Sequence, residues 1–239
     1  MSLKEDLEKD INDIVNNLWT TRDGQVVPKV EDLGLKNDGV KLQATMLYSD
    51  LVHSTKLVTD EIQTFASEIY KLFLSTSARI IKYHDGFIRS FDGDRVMGVF
   101  IGTAKNTNAV GAALDISHAV TDMIVPKIKT FYSRPYFNIE HCTGIDTSEV
   151  FVIRGGPKID NDLVWIGRAA NAAAKLSDVR DGYTTVISED VYDHMNDMRK
   201  YLNDTEDGHV RKYIWVSKDW NEIKGINKIY RTHWRKIIQ

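Results

Sequence analysis

Apolar residues recur at helical spacing over residues 3–18, where Leu3, Leu7, Ile11, Ile14, Val15 and Leu18 form one stripe. Such a stripe must be covered, either by the chain's own domain, the favoured expectation, or by another copy. Residues 20–38 are rich in Gly, Asp and Asn and predict an irregular strap. Over residues 41–49 the period drops to two. Leu42, Ala44, Met46 and Tyr48 alternate with more polar neighbours, which predicts a strand leading to Asp50. The helical period returns over residues 60–83, with Ile62, Phe65, Ala66, Ile69, Leu72, Phe73, Thr76 and Ile80 on one side, and stops at His84-Asp85-Gly86. Two further runs, 87–91 and 95–101, flank Asp92-Gly93-Asp94. That is a hairpin signal, because Asp-Gly tolerates the positive φ of a tight turn.

A second helix is expected over 108–132, then strands over 137–145 and 150–154. After Gly155-Gly156-Pro157 come an alanine-rich helix over 168–176, a strand over 184–188, a helix over 189–195, and strands over 214–220 and 228–233. The leading order β-α-β-β-α-β is the ferredoxin-like unit, an antiparallel sheet with helices on one face, so the expected class is α+β. Four prolines and no repeat or low-complexity tract suggest no internal linker. Residues 1–39 read as an N-terminal helix and strap, and 40–239 as one domain.

Composition narrows the function. The chain has 239 residues, 31 Lys and Arg against 34 Asp and Glu, a net charge of −3 and 42% hydrophobic residues. This balance gives no general pull on nucleic acid, so a polyanionic ligand needs a locally built site. The single cysteine, Cys142, excludes a disulfide framework and a cysteine-based structural zinc site. The acidic N-terminus is unlike an export signal and no run of about 20 apolar residues occurs, so a cytoplasmic protein with no membrane segment is expected.

Chemistry concentrates at two carboxylates. Asp50 closes the first strand, and Asp94 lies in the hairpin that this topology sets beside it. Converging carboxylates repel unless a cation lies between them, and hard divalent metals select such oxygen ligands. The plainer alternative makes Asp92 and Asp94 turn residues and Asp50 a helix cap. Asn171 and Lys175, four apart on the alanine-rich helix, share one face, which is either a solvated edge or a place where an amide and a cation meet substrate.

Residues 47–55, Leu-Tyr-Ser-Asp-Leu-Val-His-Ser-Thr, resemble the opening motif of the class III nucleotidyl cyclases, and residues 86–100 resemble their second metal hairpin. Gly144-Ile145-Asp146-Thr147-Ser148-Glu149-Val150 is similar to their next strand pair. Trp165 to Leu176 resembles the helix that completes the site, and Glu222-Ile223-Lys224-Gly225 the closing Lys-Gly strand. The matches keep family order over residues 40–233. The resemblance implies that Asp50 and Asp94, with the Leu51 carbonyl, bind two divalent cations, Mn2+ or Mg2+. It implies a head-to-tail homodimer with two shared sites, in which Asn171 orients the ribose, Lys175 meets developing phosphate charge and Lys224 grips the terminal phosphates. The reaction implied joins the 3′-hydroxyl of a nucleoside triphosphate to its own α-phosphorus.

The sequence departs from the purine-selective members of that family at two places. Where adenine-selective relatives carry a Lys and an Asp or Thr that read the base, this chain has Ser90 and Val164, and Ser90 is not the Glu usual in guanine-selective ones. Loss of polar base readers points to a smaller base. Lys175 stands where the family has Arg, keeping the charge without the planar fork. Arg95 and Arg168 add two cations near the cleft, either to read base or phosphate or as outward charges. Trp165 is expected in the core rather than on a base. The chain thus most resembles the pyrimidine cyclases of the Pycsar anti-phage system, with UTP set ahead of CTP as substrate and a cyclic product sensed by a separate effector. An adenylate cyclase with altered base contacts and a non-catalytic nucleotide-binding dimerisation module are the rival readings.

Overall fold

The computed structural model describes residues 2–132, 138–157, 159–204 and 210–238. In chain order the elements are α1 (Leu3–Asn16), β1 (Thr20–Asp23), β2 (Asp38–Val52), α2 (Ser54–Asp60), α3 (Gln63–Tyr83), β3 (Phe87–Asp92), β4 (Arg95–Phe100), α4 (Lys105–His118), α5 (Val125–Tyr132) and β5 (Glu140–Gly155). They continue with β6 (Asp162–Ile166), α6 (Arg168–Ser177), β7 (Thr185–Ser188), α7 (Glu189–His194), β8 (Tyr201–Asp204), β9 (Val210–Tyr213), β10 (Val216–Asp219) and β11 (Lys228–Thr232).

Among the described residues nine strands make one sheet, in the order β10-β11-β7-β5-β2-β4-β3, with β1 beside the start of β2 and β6 beside the end of β5. Within β2-α3-β3-β4-α4-β5 the strands lie fourth, first, third, second. This is the expected ferredoxin-like α+β core. Among the described residues only the β1/β2 and β5/β7 pairings are parallel.

The centre of the sheet is the long β2/β5 pair, in register from Gly39 against Ile153 to Val52 against Glu140. Alternation along β2 sends Leu47 and Leu51 into a core with Phe65, Ile69 and Phe73 of α3, Val110 and Leu114 of α4 and Val191 of α7. Leu42, Ala44 and Met46 face the other way, onto Val150 and Val152 and onto Ala169, Ala170 and Ala173 of α6. Helices therefore cover both faces, which corrects the one-sided expectation. Lys41 and Gln43 are exposed, but the polar residues further along β2, Thr45 and Ser49, are not solvated. Thr45 donates to Asn106 Oδ1 at 2.6 Å, and the hydroxyls of Ser49 and Thr143 lie 2.8 Å apart.

Several expected boundaries shift for physical reasons. The strands expected over 137–145 and 150–154 are one strand, β5, with residue 137 outside the described residues. The polar stretch between them stays in the sheet because its buried carboxylate, Asp146, is satisfied by Ser188 and Arg168. The helix expected over 108–132 is interrupted by a π-turn at Ala119–Ile124. Pro126, just beyond it, has no N–H for the helical ladder. The helix expected over 60–83 is preceded by α2 and begins at Gln63. β1, β6 and the β8/β9 hairpin are additional strands, of which β1 lies inside the strap.

α1 packs differently from the favoured expectation. None of its residues is buried, and its stripe stays exposed, from Leu7 at 51% to Leu3 and Val15 at 74%. Its last turn is fastened by Asn37, whose amide donates to the carbonyls of Ile14 at 2.8 Å and Asn17 at 2.7 Å. Val27, Val30 and Leu33 of the strap do pack on the sheet. Among the described residues no helix is long and apolar enough to cross a membrane.

Candidate active site

Asp50 sits two residues before the end of β2, between Arg95 of β4 and Cys142 of β5 in register. It lies on the face of β2 that carries Met46, beneath α6, and is only 5% exposed. The β3/β4 hairpin closes on Gly93 and Asp94, because Asp92 and Arg95 are its last pair; Gly93 adopts φ 59°, the backbone the turn requires. The hairpin brings Asp94 close enough to act on Asp50. Burial first, and the charge of Asp94 second, push the Asp50 carboxyl above its ordinary range, while Arg95 and Arg180 oppose the shift. The two predicted metal carboxylates are thus electrostatic neighbours.

Guanidiniums surround the first of them. Arg95 donates to Asp50 Oδ2 at 3.3 Å and to Asp178 at 2.9 Å, and its guanidinium lies 5.9 Å from the centre of the Tyr48 ring. Arg180 donates to the same Asp50 oxygen at 3.0 Å. Arg95 therefore points inward, toward the carboxylate, rather than out as a solubilising charge. Tyr70 of α3 completes the wall: its hydroxyl bonds Ser54, and burial, then Asp94 and Asp50, raise its pKa.

α6 presents the other candidates. Ala169, Ala170, Ala172, Ala173 and Leu176 fill its buried face, and Asn171 and Lys175 stand exposed on the opposite one. Neither belongs to the hydrogen-bonded cluster around Asp50 in its own chain. Lys224 is exposed in the turn before β11, next to Gly225 at φ 88°. That turn is tied to α6, because Arg168 donates to the Gly225 carbonyl at 3.2 Å.

Arg168 itself is an internal brace. Its Nε donates to Asp146 at 3.1 Å and its Nη2 to the Thr147 carbonyl at 2.7 Å, with Asp190 a further partner. All three nitrogens are engaged within the chain, so Arg168 is not an outward solubilising charge. Ser90 on β3 is exposed, with its hydroxyl 3.6 Å from Met97 Sδ, and Val164 on β6 is 43% exposed. Neither offers a charged donor or acceptor to a base. Trp165 packs partly buried against the sheet core, with Arg89 5.8 Å over its ring. Sequence reasoning missed Arg180, Asp178 and Tyr70.

The donor set suits hard divalent cations. Among the described residues no group of three or more His, Cys, Asp or Glu side chains is arranged to hold a metal. Two carboxylates and a backbone carbonyl fit ions that take their remaining oxygen ligands from phosphate and water, as Mg2+ does. Arg95 and Arg180 hold one oxygen of Asp50, so a cation would be shared with Asp94 rather than caged.

No protein-family profile matches the sequence. A uridylate cyclase of Rhodovulum sp. (strain MB263) is 41% identical over 99% of this chain and 98% of its own length, and one of Xanthomonas perforans is 42% identical over 98% of each. Among solved structures, the adenylyl cyclase CyaB from P. aeruginosa superposes with a TM-score of 0.66 at 20% identity, over 81% of this chain and 95% of its own. The fold is therefore the class III cyclase fold, and near full-length identity above 40% binds the chain to a narrower group within it. The chain belongs to the uridylate cyclase family and has the class III cyclase fold.

Proposed function

We propose that the enzyme converts UTP to 3′,5′-cyclic UMP and pyrophosphate at two sites shared across a homodimer. The observation that carries this reading is Asp50, held by two guanidiniums and within electrostatic reach of Asp94, on a chain whose base-reading places hold Ser90 and Val164. The names of its relatives support the choice of uracil over cytosine.

Asp50, Asp94 and the Leu51 carbonyl would hold two divalent cations, Mn2+ or Mg2+. Bound there, such cations supply Lewis-acid activation of a hydroxyl and neutralisation of triphosphate charge. The 3′-oxygen bonds to the α-phosphorus and gives its proton to solvent. The bond from that phosphorus to the bridging oxygen breaks, and its electron pair leaves with pyrophosphate. Asn171 orients the ribose from the partner's α6, Lys175 places positive charge on the α-phosphate oxygens, and Lys224 holds the terminal phosphates. Arg95, between Tyr48 and Asp50, is a further cation at the cleft, for base or phosphate. Catalysis is then largely positioning and charge compensation. Two protomers are needed because Asn171 and Lys175 face away from their own sheet. The further part of the proposal is biological: the product acts in the cytoplasm as an anti-phage signal read by a separate effector.

Purified protein given Mn2+ and an equimolar mixture of the four ribonucleoside triphosphates should yield cyclic UMP as the dominant cyclic product by mass spectrometry. Dominant cyclic CMP would move the assignment to cytosine, cyclic AMP would overturn the pyrimidine reading, and no pyrophosphate release would overturn the enzyme reading.

A further inference from the structure

Arg180 lies outside every motif of the resemblance, yet it touches both halves of the machinery. Its Nη2 donates to Oδ2 of Asp50 at 3.0 Å, and its Nη1 donates to the carbonyl of Ser177, the last residue of α6. Beside it, Asp178 at the C-cap of α6 accepts from Arg95 at 2.9 Å, and Arg95 also reaches Asp50 Oδ2. One oxygen of the metal carboxylate is therefore held by two guanidiniums, and both are tied to the final turn of α6. The same ten-residue helix carries Asn171 and Lys175 on its outer face.

We propose that Arg180 is a positioning residue that fixes Asp50 against the end of α6 and so couples the cation-binding carboxylate of one site to the helix that serves the other. This rests on the reading of Asp50 as a cation ligand and of α6 as a contributor to the partner's cleft. A planar guanidinium suits the task because it bonds in two directions at once, to a carboxylate and to a helix-end carbonyl, which an ammonium does less well. With Oδ2 so held, Oδ1 lies outside these two bonds and is the oxygen offered to a cation. A cation at Asp50 also competes with Arg180 for the same negative charge. Any loosening of that bond is felt at Ser177 and Asp178, and a short helix packed on alanines passes it to Lys175 as a rigid body. The plainer reading makes Arg180, at 36% side-chain exposure, a pin for the loop after α6. Because the carboxylate of that pair is nearly buried, removing the guanidinium lowers stability on either reading, so stability alone does not separate them.

The two readings separate on cation binding. Mn2+ alone is titrated into the purified dimer, bound metal is followed by loss of the free-ion electron paramagnetic resonance signal, and cyclisation rates are measured in parallel. The wild type should bind Mn2+ with a Hill coefficient above one. Arg180→Ala should bring that coefficient to about one and lower kcat between roughly tenfold and a hundredfold, since misplacing a catalytic group by about 1 Å costs on that order. Arg180→Lys keeps charge without the pair of hydrogen bonds to Asp50 and Ser177 and should show the lost cooperativity with a smaller fall in kcat; it carries the test if the alanine variant does not fold. Non-cooperative binding by the wild type, or unchanged cooperativity and kcat in Arg180→Ala with only a lower melting temperature, would overturn the proposal. Asp50→Ala is the control: wild-type Mn2+ binding and activity in that variant would sink the reading of Asp50 itself.

Discussion

Asp50 is held at 5% exposure beside a second carboxylate, an arrangement that is unfavourable as an ion unless cations stand close by. Arg95 and Arg180 supply part of that charge, and divalent cations would supply the rest at the face shared with Asp94. Asp50→Ala and Asp94→Ala should each abolish cyclic product while the protein still folds and dimerises, as read by mass spectrometry, circular dichroism and sizing. Loss of folding in both would return the pair to turn and cap duty. His141, in register with Leu51 on β5, makes a separate prediction. It is fully enclosed, its Nε2 has no hydrogen-bond partner among the described residues, and burial pulls its pKa from 6.5 down to about 4. The folded chain thus prefers the neutral ring, so the unfolded chain binds more protons between those values. The associated stability is fully present above pH 6.5 and is lost as pH falls toward 4, by about 3 kcal/mol in all. Urea unfolding at pH 7 and pH 4.5 should show a smaller pH effect in His141→Leu than in the wild type; equal slopes would refute it. At this scale the sequence singles out Asp50, Asp94, Asn171, Lys175 and Lys224 as candidates, because each sits at a recognisable motif position. Arg180 was not legible, because its meeting with Asp50 spans 130 residues and exists only once α6 packs on the sheet.

The placement of α6 depends on a missing side chain. Gly144 on β5 lies directly under the helix: a Cβ there would come within 2.2 Å of the Ala173 carbonyl oxygen and 2.3 Å of the Ser177 nitrogen. Both are backbone atoms, so the helix itself would have to move. Gly144→Ala should cost on the order of 1–3 kcal/mol, the range for overpacking, and lower kcat as well, because Asn171 and Lys175 ride on the displaced helix. Gly93→Ala provides the contrast. No atom lies within 4 Å of its added Cβ, so only the φ of 59° resists it, at about 1 kcal/mol. Thermal melts and kcat for the two variants, side by side, test whether α6 placement limits the rate. Equal effects would argue that it does not. The βαββ front and the Gly93 turn were readable because period and turn chemistry agree there. The side of the sheet that α6 takes was not readable, since β2 is buried on both faces and periodicity does not assign a helix to either. β5 was read as two strands because Asp146-Thr147-Ser148 looks like a break until Arg168 and Ser188 arrive from elsewhere in the chain.

Across the whole molecule, a net charge of −3 offers no general attraction for a triphosphate. On the proposed reading, binding would fall instead to a few placed cations and to the metal ions that accompany the nucleotide. The two groups of candidate residues lie on one chain but face different directions: Asp50 sits beneath α6 with Asp94 in the neighbouring hairpin turn, and Asn171 and Lys175 look outward from α6. Such a division is productive only if two copies exchange these surfaces, giving two equivalent sites. The most direct measurement mixes two dead enzymes. Asp50→Ala and Lys175→Ala proteins are combined, allowed to exchange subunits, and supplied with UTP and Mn2+. Half of the dimers are then mixed, and each mixed dimer has one intact site of two, so about a quarter of wild-type cyclic UMP production should return. If no activity returns although subunit exchange is demonstrated, each site is built within one chain and the shared-site cyclase is wrong.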